Sequence, residues 1–299
     1  MVDFPKVSIV ILNWNGLKDT IECLESLKKI TYPNYEVIVV DNASAGDDVK
    51  VLRERKEDYV HIISNQKNYG YAEGNNIGMR YALGNNCDYV LLLNNDTIVD
   101  PDFLSELVKV GESDEKIGIE AGKVYYYDSP NRLQTVGGKI NWWSGRLQHY
   151  GKAEDIGQFD QITRRDWVYA TAMLIKRQVM ETVSLLDSAF FFGIEEYDYC
   201  TSATRAGFKV VYVPTSKVWH KVGASRKKLP DFPETQKLIQ RQTGALQYKH
   251  FYRLFRKHSP RPLFLFAYLN FMTALTILLS YRVVKSYASG LWDHLRRKW

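Results

Sequence analysis

Two periods organise the hydrophobic and polar positions of this chain. Residues 7–12 form a short apolar run broken only by Ser8, which gives way to Asn13-Trp14-Asn15-Gly16. Leu17, Ile21, Leu24 and Leu27 then recur at helical spacing until Tyr32-Pro33-Asn34 stops the pattern. A second run, 35–40, ends at Asp41-Asn42-Ala43-Ser44, and a polar, charged helix over about 46–58 leads to a third, 59–64. The order β-α-β-α-β predicts a parallel sheet with right-handed crossovers.

A Gly/Asn-rich turn over residues 68–78 feeds a helix through Tyr81. Its glycines permit close backbone approach, and a helix N-terminus favours an anion. Next, 89–93 is a continuous apolar run, read as a strand buried on both faces, and it stops abruptly at Asn94-Asn95-Asp96-Thr97. Asp100 reads as an N-cap with Pro101 at the first helical position. A short strand at 117–122 precedes a weakly periodic stretch, 123–166, whose Gly, Tyr and Trp content suits an ordered cover over a site. Trp142 and Trp143 within it serve either as sugar-stacking faces or as packing anchors. A strand over 167–176 follows, then Phe190-Phe191-Phe192-Gly193-Ile194-Glu195-Glu196, a helix to Ala206 with Gly207 past its end, and a last strand, 208–213, ended by Pro214.

Composition is that of a folded protein with one large domain or a domain plus an appendage. Three widely spaced cysteines, Cys23, Cys87 and Cys200, form no CxxC and point to a reducing compartment. The first residues lack a secretory pattern. Net charge is +6, and the excess sits in the tail: 226–299 holds 15 Lys/Arg against 3 Asp/Glu. That tail carries an amphipathic pattern through Leu238, Leu246, Phe251 and Leu254, and a 19-residue uncharged run, 263–281. A basic segment beside an apolar one favours an anionic membrane surface over nucleic acid, which the body's lack of a basic stripe also excludes. The apolar run could span the membrane, lie in its interface, or join copies of the chain into a homo-oligomer.

Three positions carry candidate chemistry. Asp96, at the carboxyl end of a buried strand, suits a hard divalent cation shared with a phosphate, or else simply starts a turn. Glu195 and Glu196 complement a helix N-terminus, or form a carboxylate base whose apolar approach raises its pKa. His220, after Trp219, is on its own either a packed histidine or a ligand.

Together these stretches resemble the GT-A glycosyltransferases of family 2, inverting enzymes that use nucleotide-sugars, in particular a rhamnosyltransferase-like subgroup. The likeness runs over residues 7–225 through VSIVILNWNG, VIVVDNAS, NYGYAEGNNIG, LLLNNDT, FFGIEEYDYC and WHKVGAS. It implies an α/β fold of Rossmann-like character, with a mainly parallel central sheet flanked by helices, to which the charge and apolar pattern of the tail adds a C-terminal helical, membrane-associated segment. It implies a nucleotide-binding half over 1–100, an acceptor half over 101–225, and a tail over 226–299. By the same resemblance Asn13, Asp41, Gly70 and Asn75 line the nucleotide pocket, and Asn94, Asn95 and Asp96 stand at the DxD motif. Asp96 and His220 would hold Mn²⁺ or Mg²⁺, and Glu196 would be the base, with Glu195 its rival. The chain departs from the pattern where Asn94 replaces the first DxD aspartate and where the ED pair reads Glu195-Glu196. The expected reaction moves a sugar to a hydroxyl of a lipid-linked or cell-surface glycan at the cytoplasmic face of the cell membrane, with the protein peripheral or held by a single C-terminal span. A nucleotidyltransferase making a nucleotide-sugar and a catalytically silent, membrane-tethered carbohydrate-binding protein are the alternatives.

Overall fold

The computed structural model describes residues 4–222, 249–260, 264–266, 268–270, 272, 273 and 276. Its elements are β1 (Val7–Asn13), α1 (Leu17–Leu27), β2 (Tyr35–Asp41), α2 (Asp48–Arg55), β3 (Val60–Ser64), α3 (Gly70–Gly84), β4 (Tyr89–Asn94), β5 (Thr97–Val99) and α4 (Phe103–Gly111). There follow β6 (Ile117–Tyr126), β7 (Ser129–Thr135), β8 (Gly138–Asn141), β9 (Arg146–His149), β10 (Thr163–Arg165), β11 (Ala172–Lys176), α5 (Arg177–Val183), α6 (Glu195–Arg205) and β12 (Lys209–His220). Two compact units emerge. One holds residues up to Lys139 and from His149 to His250; the other holds Ile140–Gln148 and residues from Phe251 onward.

In the first unit the main sheet runs β10-β12-β6-β11-β4-β1-β2-β3, with β5 on β12 and β7 on β6. β3, β2, β1 and β4 are all parallel, as the alternating strands and helices require. The other half is not, and the sheet is mixed rather than mainly parallel. β11 lies antiparallel to both β4 and β6. It arrives from the long cover without a crossover helix, and an apolar run buried on both faces reads alike in either direction.

Side-chain alternation divides the core between the two faces. Val7, Ile9 and Ile11 join Cys23 and Leu27 of α1 and Phe103, Leu104 and Leu107 of α4 in one buried cluster. Each such side chain taken fully from water stabilises the fold by about 1.5–3 kcal/mol. On the opposite face α3 packs so closely that a Cβ on Gly74 or Gly78 would strike Leu12 or Val10. The four-residue spacing of Gly70, Gly74 and Gly78 turns all three to one side of the helix.

Two local expectations need correcting and two stretches gain detail. Helix α4 starts at Phe103, not at Pro101, because the Asp100 carboxylate accepts from Asp102 N (3.0 Å) and closes a turn first. The weakly periodic stretch 123–166 is built largely of strands: it extends β6 to Tyr126 and adds β7 to β10. The segment just after Asp96 is itself a strand, β5, too short to show a period. Pro214 does not end the last strand. β12 passes through it in a bulge that leaves residues 214–216 without partners between Val213↔Gly122 and Lys217↔Lys123. A bulge is where a strand tolerates a residue with no N–H.

Residues 249–258 are helical. The apolar run 263–281 falls mostly outside the described residues, and among those described no helix is long and apolar enough to cross a membrane.

Candidate active site

The bulge in β12 sets up the centre of the site. Past it the strand pairs with β5, placing His220 opposite Thr97 and beside the turn that carries Asp96. His220 Nε2 lies 3.0 Å from Asp96 Oδ1, and both side chains are 9% exposed. The end of the strand is clamped on both sides: Lys221 N donates to Asp96 O (2.9 Å), while Lys221 Nζ reaches Asp19 Oδ1 (3.0 Å) and Glu22 on α1.

Two donors 3.0 Å apart match the edge of a metal coordination sphere, since ligands at about 2.1 Å from one ion sit roughly 3 Å from each other. No group of three His, Cys, Asp or Glu side chains suited to a metal occurs among the described residues. The pair therefore fits an Mg²⁺- or Mn²⁺-like ion that takes most of its oxygen ligands from a bound phosphate. A cavity of about 250 Å³, lined by Tyr126, Tyr127, Arg132 and Lys221 among others, opens against His220.

At the carboxyl ends of β1 and β2 a second group of polar side chains is locked together. Asn13 Nδ2 stands 2.7 Å from Asp41 Oδ2 and 3.0 Å from Asp48 Oδ2, and Asn13 Oδ1 accepts from Thr20 Oγ1 (2.7 Å). Asn95 Nδ2 donates to the same threonine oxygen (3.0 Å), so the turn before Asp96 is tied to this network. Gly16 must lack a side chain because Asn95 Nδ2 fills the space a Cβ would take. The structure thus joins Asn13, Asp41 and Asn95 in one hydrogen-bonded set.

Gly70 and Asn75 belong to the start of α3. Asn42, next to Asp41, donates to Gly70 O (3.1 Å), so the helix begins against the end of β2. Gly70 has φ +82°, and a Cβ there would collide with the Phe191 carbonyl and ring. Asn75 is buried and donates to Tyr71 O (2.9 Å).

Glu195 and Glu196 open α6, only 4% and 6% exposed. The chain enters the helix through Gly193 and Ile194, both at φ +80°. A β-branched residue there is strained, by roughly 1–3 kcal/mol, and such strain gathers at functional sites. Burial drives Glu195 well above the ordinary carboxylate range, with the neighbouring Glu196 charge adding to it, and Glu195 Oε2 has no hydrogen-bond partner. Burial also raises Glu196, to about 7, against the pull of backbone N–H groups at the helix start. One carboxyl of the pair is thereby kept near the protonation midpoint a general base needs at neutral pH.

Tyr71, which the sequence reading did not single out, lies within electrostatic reach of both acidic centres. Its hydroxyl is 3.0 Å from Asn94 Oδ1 and 2.9 Å from Ala170 O. Burial first, and then the charges of Glu195, Glu196 and Asp96, push that hydroxyl far above its usual pKa. All three carboxylates thus bear on one phenol. Asn94 also faces His220, its Nδ2 3.4 Å from Nε2. Around Glu196 stands an aromatic wall: Trp167 packs 4.6 Å from Tyr197 and 5.0 Å from Tyr169, ring centre to ring centre. In the other unit Trp142 contacts Phe255 and His258 as a packing anchor, whereas Trp143 is 67% exposed.

The sequence model described as Glycosyl transferase family 2 matches residues 8–175, more than half of the chain. The low-salt glycan biosynthesis hexosyltransferase Agl10 of Haloferax volcanii is 28% identical over 211 residues, covering 68% of this chain and 63% of its own. The dTDP-rhamnosyl transferase RfbF of Shigella flexneri is 24% identical over 223 residues, or 72% of this chain and 68% of its own. A Sinorhizobium fredii protein, y4gI, is 29% identical over 258 residues, which is 81% of this chain but 27% of its own. The chain thus spans less than two thirds of y4gI and of Agl10. Two solved structures share the fold. The mannosyltransferase PcManGT of Pyrobaculum calidifontis, with GDP-Man and Mn²⁺, has a TM-score of 0.58 at 17% identity, covering 97% of this chain and 80% of its own. GalNAc-T7, with UDP, GalNAc and Mn²⁺, has a TM-score of 0.60 at 17% identity, covering 74% and 44%. This chain belongs to glycosyltransferase family 2.

Proposed function

We propose that the protein is an inverting, metal-assisted glycosyltransferase that moves a sugar from a nucleotide-sugar to a hydroxyl of a glycan acceptor, lipid-linked or on the cell surface. The observation that carries this reading is the pairing of Asp96 with His220, together with a buried Glu195-Glu196 pair whose charges bear on the same Tyr71 hydroxyl as that of Asp96. Transfer with inversion needs a cation site and a base that approach one sugar from opposite sides.

Asn13, Asp41 and Asn95 form the floor for the nucleoside, and Asp96 with His220 would hold Mn²⁺ or Mg²⁺. When bound, that ion neutralises charge on the departing diphosphate. Glu196 accepts the proton of the acceptor hydroxyl; the freed oxygen bonds to the anomeric carbon as the bond to phosphate breaks, and the nucleoside diphosphate leaves with that electron pair. Glu195, more strongly held in its protonated form, donates or stays neutral beside it. The aromatic wall of Trp167, Tyr169 and Tyr197 excludes water that would otherwise hydrolyse the donor. The metal assignment is further supported by Mn²⁺ in the two structures of the same fold.

The basic, apolar tail fits attachment to an anionic membrane at the cytoplasmic face, with 1–225 as the transferase and 226–299 as the anchoring or oligomerising appendage. A nucleotidyltransferase and a silent binding protein are not favoured: the family match runs through the strands β1 to β4, and among the described residues the buried acid pair has no salt-bridge partner to explain it structurally.

The test is release of nucleoside diphosphate from a panel of UDP-, GDP- and dTDP-sugars, with and without Mn²⁺ or Mg²⁺. Metal-dependent release with one donor class supports the reading. Sugar binding with no turnover on any donor and acceptor would overturn it.

A further inference from the structure

The cover supplies more than a wall. β7 pairs with β6 through Val124↔Thr135 and Tyr125↔Leu133, so Gln134 is the unpaired extra residue of a β-bulge. Its neighbours Leu133 and Thr135 are buried at 0% and 3% exposure. Bulges re-aim a side chain, and this one is aimed at the candidate metal pair. Gln134 Oε1 stands 2.9 Å from His220 Nδ1.

The two ring nitrogens of His220 therefore face different chemistry. Nε2 looks at Asp96 Oδ1 (3.0 Å) and at the amide nitrogen of Asn94 (3.4 Å). Nδ1 looks at an amide carbonyl, which can only accept a hydrogen bond. A neutral imidazole carries one N–H, and it ligates a cation only through the other nitrogen's lone pair. Asp96 Oδ1 is an acceptor too, so without a cation both ring nitrogens compete for the one N–H; once a cation takes the Nε2 lone pair, the carbonyl at Nδ1 holds the proton there and the ring plane with it.

We propose that Gln134 is a positioning residue, which holds His220 as its Nδ1–H tautomer so that the Nε2 lone pair is presented beside Asp96 to a divalent cation. This rests on the metal-assisted reading above. It also gives the β6–β7 excursion a purpose beyond covering the site: it reaches back to orient a ligand 86 residues further along the chain.

The experiment uses the full chain and its Gln134→Leu, Gln134→Glu and His220→Ala variants. Mn²⁺ binding is followed by electron paramagnetic resonance in the presence of UDP, GDP or dTDP. The His220 ring is read from its Nδ1–H signal in protein loaded with diamagnetic Mg²⁺ and the same nucleotide. Gln134→Leu is expected to weaken Mn²⁺ binding by about 10–100-fold, the usual cost of losing a group that orients a metal-ligating histidine. It should also move the Nδ1–H signal, whose acceptor is gone, while Gln134→Glu, which still accepts from Nδ1–H, restores both signals.

If Gln134→Leu binds Mn²⁺ like the unsubstituted chain while His220→Ala does not, the role of Gln134 is overturned and the metal reading stands. An Nδ1–H signal in the Mg²⁺-loaded chain that Gln134→Leu leaves unmoved overturns it too. No Mn²⁺ binding by the unsubstituted chain with any of the three nucleotides removes both.

Discussion

The Tyr71 hydroxyl lies 3.0 Å from Asn94 Oδ1, and this contact fastens the first turn of α3 to the end of the central strand β4. Ala170 O, on the approach to β11, lies 2.9 Å from the same hydroxyl. One O–H is thus shared between two acceptors from different parts of the sheet.

Tyr71→Phe keeps the ring and removes only that donor. Leaving buried acceptors short costs about 1–3 kcal/mol. The thermal midpoint should fall by several degrees, since 1 kcal/mol is roughly 2–4 °C in a domain of this size. Because Asn94 also faces His220, KM for metal or donor should rise along with it. A midpoint loss without any kinetic change would make Tyr71 purely architectural.

Asp96→Ala and His220→Ala should each leave the fold intact and reduce transfer by at least about 10²–10³-fold, the scale seen when one preorganised electrostatic group is removed from a reaction centre. The check is initial rate against Mn²⁺ concentration, beside a thermal melt. Raising Mn²⁺ should rescue His220→Ala in part and Asp96→Ala hardly at all, because a carboxylate is the harder and charged donor.

Glu196→Gln should lower turnover by about 10²–10⁴-fold with little change in nucleotide affinity. In the unsubstituted protein the rate should rise with pH and level off above about 7, since the base works only when deprotonated and burial lifts its pKa to that region. A Glu195→Gln protein that loses activity while Glu196→Gln keeps it would exchange the two roles.

A fourth expectation lies away from the site. Glu120 is fully buried in β6 with neither carboxyl oxygen hydrogen-bonded. Burial raises its pKa from 4.5 to about 8, against the lowering pull of Lys176 and with help from Glu112. Between those two values the folded state holds a proton that the unfolded state has released. Stability should therefore be greatest below pH 4.5 on this account and fall by about 1.4 kcal/mol per pH unit up to about 8. Glu120→Gln should flatten that decline, seen as a thermal midpoint that no longer drops between about pH 4.5 and 8 on this account.

The parallel half of the sheet was legible because its apolar runs alternate with helical segments, as residues 7–12 do with Leu17, Ile21, Leu24 and Leu27. β11 showed where that logic stops, since burial on both faces erases the sign of strand direction. Pro214 misled for a related reason: a proline reads as a strand end unless the partner strand is known to leave a gap there. At the site, residue type and resemblance drew attention to Asp96, Glu195, Glu196 and His220. Tyr71 and Gln134 carried no local signal, because their partners lie 23 and 86 residues away and meet them only in the folded sheet.

The bulge at residues 214–216 imposes a rule of parity on the end of β12. Side chains along a strand take turns between its two faces, so an odd number of residues gained or lost there swaps which neighbour looks inward. Deleting Thr215 alone would offer Trp219 or Lys221 to Asp96 in place of the imidazole, whereas a two-residue change would keep it facing correctly. Length in this hairpin-free segment is therefore counted in pairs, and an engineer grafting a different loop here has only half of all lengths to choose from.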